Sequence, residues 1–141
     1  MVTLGVADLD RATRFYEAVL RTPANCQHDG IRFFEMPGIW LSLYPRDKLA
    51  EDISPTLDAT PAAFSGMTIA YNARSQEEVS AIMQTVSLAG GRIAKPEQET
   101  FWGGFSGYFA DPDGYYWEVA WGPMFEFDSQ GGLLPAPLSG E

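Results

Sequence analysis

The chain has 141 residues, enough for one compact domain or two small modules that share a core, and too few for a multidomain enzyme. Hydrophobic residues at 45% against 20% charged give the balance of a folded globular protein, and nine Lys plus Arg against nineteen Asp plus Glu leave a formal net charge of −10, which excludes phosphate backbones and anionic membranes as natural partners. One cysteine, Cys26, and one histidine, His28, exclude an internal disulfide framework, a Cys-rich zinc site and a multi-histidine metal site, and as a nucleophile–base pair they lack any orienting third group.

In chain order, Val2, Leu4 and Val6 alternate with Thr3 and Gly5, the period of a half-buried strand. Asp8 follows as a helix cap, with apolar residues at Ala12, Phe15, Tyr16, Val19 and Leu20 at helical spacing until Pro23. Three short strands fit 24–28, 31–36 after Asp29-Gly30, and 39–44 after Pro37-Gly38. Residues 45–66, rich in Pro, Asp, Thr, Ser and Ala, read as a linker without sustained periodicity. Met67, Ile69 and Tyr71 then alternate as a strand, Ser75 and Glu78 form a capping box, and Val79, Ile82, Met83 and Val86 make a second helical stripe closed by Gly90-Gly91. Further strands fit 92–95, 101–110 and 115–121, and no apolar run is long enough for a membrane span.

The pattern is β-α-β-β-β written twice. Cap, helical stripe and preceding strand all recur 67 residues later, with Asp8 falling on Ser75 and Phe15 on Ile82. The expected architecture is therefore α+β, with module one at 1–44, a linker at 45–66 and module two at 67–121, the pair burying the apolar faces that each leaves bare. Residues 1–125 make one domain, and the tail at 126–141 carries no chemistry. The N-terminus has no basic stretch leading into an apolar run, so a soluble, cytoplasmic protein is expected.

Two motifs within this repeat carry a resemblance: Leu4-Gly5-Val6-Ala7-Asp8-Leu9 leading to Phe15-Tyr16, and Gly107-Tyr108-Phe109-Ala110-Asp111-Pro112-Asp113-Gly114-Tyr115-Tyr116-Trp117-Glu118-Val119. The chain resembles the glyoxalase/bleomycin-resistance/dioxygenase family, also called the vicinal oxygen chelate superfamily. The resemblance implies paired βαβββ modules curling into a cup around a small-molecule ligand, often completed in a homodimer. In metal-using members four strands each give a ligand, His or Gln from the first strand of each module and Glu from the last. Those positions are assigned here to Met1, Thr68, Leu41 and Glu118, of which only Glu118 is a metal ligand by chemistry. No metal or other cofactor is therefore expected, and a metal-dependent lyase or dioxygenase is disfavoured.

On the last strand, Tyr116, Glu118 and Ala120 share one face, while Tyr115, Trp117, Val119 and Trp121 share the other, which is the apolar one. Glu118 is thus expected in the cup beside Tyr116, Ile39, Leu41 and Leu43, where burial would raise its pKa and make it a candidate general base for proton transfer beside a carbonyl or for epimerisation. The expected ligand contacts are Thr3, Leu41, Thr68, Ala70 and Tyr116, together with Trp102 and Tyr108 from the glycine-rich hairpin of module two. The rival reading is sequestration without catalysis: an acidic groove, lined by Asp47, Glu51, Asp52 and Asp58, would hold a cationic drug or metabolite as bleomycin-resistance proteins do. A homodimer is expected on either reading, with no nucleic acid or membrane partner.

Overall fold

The computed structural model describes residues 1–134. Strand β1 (Val2–Val6) leads to helix α1 (Leu9–Leu20), then β2 (Arg32–Phe34) and β3 (Leu41–Pro45). A short helix α2 (Arg46–Ile53) precedes β4 (Thr68–Asn72), α3 (Gln76–Ala89), β5 (Arg92–Glu99), β6 (Phe105–Ala110) and β7 (Tyr116–Trp121). The fold is α+β with two sheets, ordered β1-β3-β2 and β4-β7-β6-β5. In each, the module's first strand lies parallel to its last, and the intervening strands continue antiparallel from there.

The helix ends follow the local chemistry. The Asp8 carboxylate accepts from the Arg11 N–H at 2.8 Å, and the Ser75 hydroxyl accepts from the Glu78 N–H at 3.1 Å. The Glu78 side chain reaches one residue further back than a capping box requires, taking the Arg74 N–H at 2.7 Å. Gly90, at φ 99°, closes α3 in the left-handed conformation that glycine adopts without strain.

Three local expectations are corrected. The strand expected at 24–28 reduces to one bridge, Asn25 to Phe33, because the Asn25 side chain accepts the Gln27 N–H at 3.1 Å and turns the chain away from the sheet. The expected linker contains α2, whose only fully buried residue is Ala50 and which packs on β1 where Gly5 has no side chain. A Cβ on Gly5 would lie 3.1 Å from the Arg46 Cα. In module two β5 runs on to Glu99 through register shifts either side of Lys95, while Thr100–Gly104 form the turn, so β6 starts at Phe105 rather than Phe101.

The two modules share one core on the helix side of both sheets, with α1 packed on α3. Phe15 meets Phe109 edge-on, and Trp117 stacks on Phe109 at 6.0 Å with rings 6° from parallel. The hairpin between β6 and β7 docks on the β1–α1 turn: the Ala7 N–H donates to Asp113 at 2.8 Å, and the Tyr115 hydroxyl donates to the Gly5 carbonyl at 2.9 Å. Beneath it the buried Tyr16 hydroxyl donates to Asp111 Oδ2 and accepts from the Trp117 indole N–H at 3.0 Å. No helix among the described residues is long and apolar enough to cross a membrane.

Candidate functional site

With the helices on one side, each sheet presents its other face outward. On the second sheet Thr68 pairs with Tyr116, Ala70 with Glu118, and Tyr108 with Glu118, so these five side chains share that face. The direction of Glu118 is set by its neighbours: Trp117 and Val119 are buried in the core, and period-two alternation turns the residue between them outward. Glu118 is half-buried rather than enclosed, as are Tyr108 and Tyr116, whereas Thr68 and Ala70 are exposed.

A shallow cavity of about 380 Å³ lies on this face, lined by Phe64, Thr68, Ala94, Lys95, Tyr108 and Tyr116. Its floor ends at Tyr108, directly across the strand pair from Glu118. The Tyr108 phenol is pushed above its ordinary pKa, first by loss of solvent and then by the charge of Glu118 and hydrogen bonding to it. Tyr116 is held from two sides: its hydroxyl accepts from Arg92 at 3.2 Å, and Phe64 meets its ring edge-on at 6.1 Å. Phe64 and Lys95 were missed at the sequence level because one sits in the irregular segment before β4 and the other beside a bulge, where no periodicity fixes direction.

The equivalent face of the first sheet carries Thr3 and Ser42, whose hydroxyls lie 2.6 Å apart. Strand register corrects the assignment of Leu41. Val2 pairs with Leu41 as Ile69 pairs with Trp117, and Thr3 pairs with Ser42 as Ala70 pairs with Glu118, so the module-one counterpart of Glu118 is Ser42. Leu41 and Leu43 are buried on the core side, at 4% and 0% exposure, and with Ile39 outside β3 none of the three shares the face of Glu118. Within one chain Thr3 and Leu41 contribute nothing to the cavity beside Glu118. Trp102 also lies elsewhere: it stacks on Phe125 and fills the space above Gly104, where a Cβ would fall 1.8 Å from its ring.

The positions that carry metal ligands by resemblance hold Met1, Ser42, Thr68 and Glu118, and no group of three His, Cys, Asp or Glu side chains poised around a metal occurs among the described residues. One carboxylate with two hydroxyls and a thioether does not fit a divalent first-row ion, which wants several anionic or imidazole ligands. The acids proposed to line a cationic groove sit outside the cavity. Asp47, Glu51 and Asp52 are exposed on α2, where their charges and partial burial push the Tyr44 hydroxyl up, with loss of solvent the first cause and Asp52 the next. Asp58 borders a separate cavity between α2 and the β6–β7 hairpin.

Residues 1–119 match the Glyoxalase/Bleomycin resistance protein/Dioxygenase superfamily. The chain belongs to this superfamily. Among solved structures, a glyoxalase-related enzyme from Fulvimarina pelagi superposes with a TM-score of 0.85 at 31% identity, over 96% of this chain and 95% of that one. A genomically encoded fosfomycin resistance protein, FosX, from Listeria monocytogenes gives 0.66 at 26% identity over 87% and 91%. A lactoylglutathione lyase from Agrobacterium tumefaciens gives 0.66 at 22% over 90% and 95%, a likeness of fold. No match is found among curated proteins. As a member of the superfamily the chain has the expected paired-module fold, while its face residues depart from the superfamily's ligand pattern at every position but Glu118.

Proposed function

We propose that this superfamily member binds a small carbonyl compound on the outward face of its second sheet and moves a proton on it with Glu118, without a metal. The observation that carries the reading is the placement of one carboxylate, Glu118, across from the Tyr108 hydroxyl and beside a cavity that has a cation, Lys95, and an aromatic wall of Phe64 and Tyr116. In the step proposed, a C–H bond next to the ligand's carbonyl breaks, its proton goes to Glu118, and the electron pair moves to the carbonyl oxygen. Lys95 then stabilises the developing negative charge in place of a Lewis acid. Return of a proton to the other face of the carbon gives an epimer, and return to the oxygen gives an enol. The likeness to a protein described as a glyoxalase-related enzyme supports a catalytic reading. The binding-only reading loses its charge argument, since the acids of α2 lie away from this cavity and the cavity's own charged lining residue is Lys95.

The wall facing Glu118 is supplied, in this proposal, by the outward face of a second copy's first sheet, where Thr3 is exposed over the buried Ser42. In the single chain the outward face of the first sheet is exposed at Thr3 and that of the second at Thr68 and Ala70, while Ser42 is buried, and exposed Met1, Ile39, Trp40 and Met67 lie at or next to the chain segments leading into β1, β3 and β4. The test is deuterium wash-in from D2O at the carbon next to the carbonyl, followed by NMR across a panel of small aldehydes, α-hydroxy ketones and thioesters. Glu118→Gln keeps the shape and removes the proton acceptor, so exchange falls by about 100-fold or more while ligand affinity survives. Exchange retained in Glu118→Gln refutes the assignment.

A further inference from the structure

A second cavity, of about 430 Å³, lies on the opposite side of the sheets, at the seam where the modules meet. Its apolar wall is built from core-side residues of both modules, Val2 and Leu41 from the first, Ile69 and Trp117 from the second, with Trp40 at its edge. The C-terminal segment closes it. Phe127 and Leu133 pair across a tight turn, in which Asp128 accepts the Gln130 and Gly132 N–H groups at 2.8 Å each, and both line the space.

Two charged side chains face this cavity, Arg74 and Glu78. Glu78 is committed to the protein: its Oε1 accepts from Arg21 at 2.6 Å and from the Tyr71 hydroxyl at 3.3 Å, and its Oε2 takes the Arg74 N–H. The Arg74 guanidinium is not. It lies over the Phe127 ring at 4.7 Å and takes part in none of the four ion pairs among the described residues. Among the described residues the guanidinium has the Phe127 ring beside it and neither a hydrogen bond nor an ion pair, which leaves its planar fork able to receive a carboxylate through two parallel hydrogen bonds. An uncompensated cation over an apolar cavity is out of keeping with a chain of net charge −10, and it selects for anions locally.

We propose that the seam cavity is a binding site for a small monocarboxylate with an aromatic or branched aliphatic body, its carboxylate on Arg74 and its body against Ile69 and Trp117. The site meets the Glu118 face only at Ala70, shares no lining residue with the cavity beside Glu118, and does not depend on that reading. The cavity volume suits a ligand of this size, and the wall at Val2, Leu41, Ile69 and Trp117 is indole and aliphatic surface, with Asn72 and Gln130 adding polar groups elsewhere on the lining.

The experiment is calorimetric titration of the full chain with 3-phenylpropanoate, its neutral amide and the matching primary amine. The acid binds about ten-fold more tightly than the amide, the amine does not bind, and Arg74→Gln brings acid and amide together. Arg74→Lys keeps part of the preference, having the charge but not the planar fork. Arg74 is exposed, so the variants fold, which an unchanged melting temperature checks. Glu118→Gln leaves the acid's affinity unchanged. No binding of the acid at millimolar concentration, equal binding of acid and amide, or a preference that survives Arg74→Gln overturns the proposal. An affinity that falls in Glu118→Gln overturns it too, by moving the ligand to the other face.

Discussion

Replacing Tyr16 by Phe removes a single oxygen from the contact that joins the modules, and the structure sets the size of the effect. Tyr16 is fully buried, Asp111 is 4% exposed and Trp117 5%, so neither partner regains water when the hydroxyl goes. Asp111 Oδ2 loses its donor, a charged hydrogen bond of about 1.5–3 kcal/mol, and the Trp117 N–H loses its acceptor at about 1 kcal/mol more. A loss of about 2.5–4 kcal/mol lowers the melting temperature by about 8–15 °C in a chain of this length. The loss is also pH-dependent. Burial raises the Asp111 pKa, and the Tyr16 hydrogen bond is the largest influence pulling it back down. A raised carboxyl pKa means that the folded state holds the proton more tightly than the unfolded state. Stability from this group is therefore full below the unfolded value of about 3.9 and falls as pH rises towards the folded value. Removing the hydroxyl lifts the folded value further and extends that fall, so the Tyr16→Phe deficit is larger at about pH 7.5 than at about pH 3.5, below the unfolded value. Tyr16 itself stays protonated throughout, since burial and then the Asp111 charge hold its pKa well above the ordinary phenol value. Urea and thermal unfolding at the two pH values measure both effects. A drop under about 3 °C, or a deficit equal at both pH values, refutes the reasoning.

Added Zn, Ni, Mn or Fe(II) near micromolar free concentration leaves the melting temperature unchanged, whereas an ion held at 100-fold below its concentration would add about 2.7 kcal/mol; one tightly bound metal per chain by elemental analysis contradicts the ligand count. Sedimentation at micromolar concentration gives a particle of twice the 15.5 kDa chain mass, and a single species at the chain mass removes the proposed facing wall. Gly104→Ala places a methyl 1.8 Å from the Trp102 ring and 2.6 Å from the Trp121 carbonyl, so Trp102 is displaced from Phe125, its fluorescence shifts to the red, and stability falls by about 1–3 kcal/mol; an unchanged emission maximum counts against the packing described.

The doubled βαβββ pattern was legible because two long-lived signals coincide. Caps at Asp8 and Ser75 start stripes that are buried as spaced, Ala12, Phe15, Tyr16 and Val19 in α1, and Val79, Ile82, Met83 and Val86 in α3. Short elements were not legible for equally local reasons. Helix α2 buries only Ala50 fully and spans eight residues, too few for its spacing to rise above an irregular stretch. The strand expected around Asn25 has suitable composition, yet one side-chain hydrogen bond is enough to end its pairing. Leu41 was displaced from its true counterpart by one residue because offsets between helices say nothing about strand register, and a one-residue slip exchanges the two faces of a sheet.

The motifs that announce the family turn out to describe its scaffold. Tyr16 of the first motif meets Asp111 of the second, Ala7 meets Asp113, and the carbonyl of Gly5 meets Tyr115, all of them contacts that fasten module two onto module one. These contacts are required whatever the ligand is, so their presence in the sequence identifies the fold without reaching the chemistry. Glu118 was legible as an outward carboxylate only because Trp117 and Val119 on either side of it must be buried. Lys95, Phe64 and Arg74 had no such bracket. Lys95 follows a register shift, Phe64 precedes a strand, and Arg74 stands just before the Ser75 cap, positions where direction depends on tertiary contacts alone. On the proposed reading, function therefore rests on side chains that the contacts between the modules do not fix. With Met1, Ser42 and Thr68 at the positions that the resemblance gives to ligands, the proposed proton transfer at Glu118 draws its charge stabilisation from Lys95 and Tyr108.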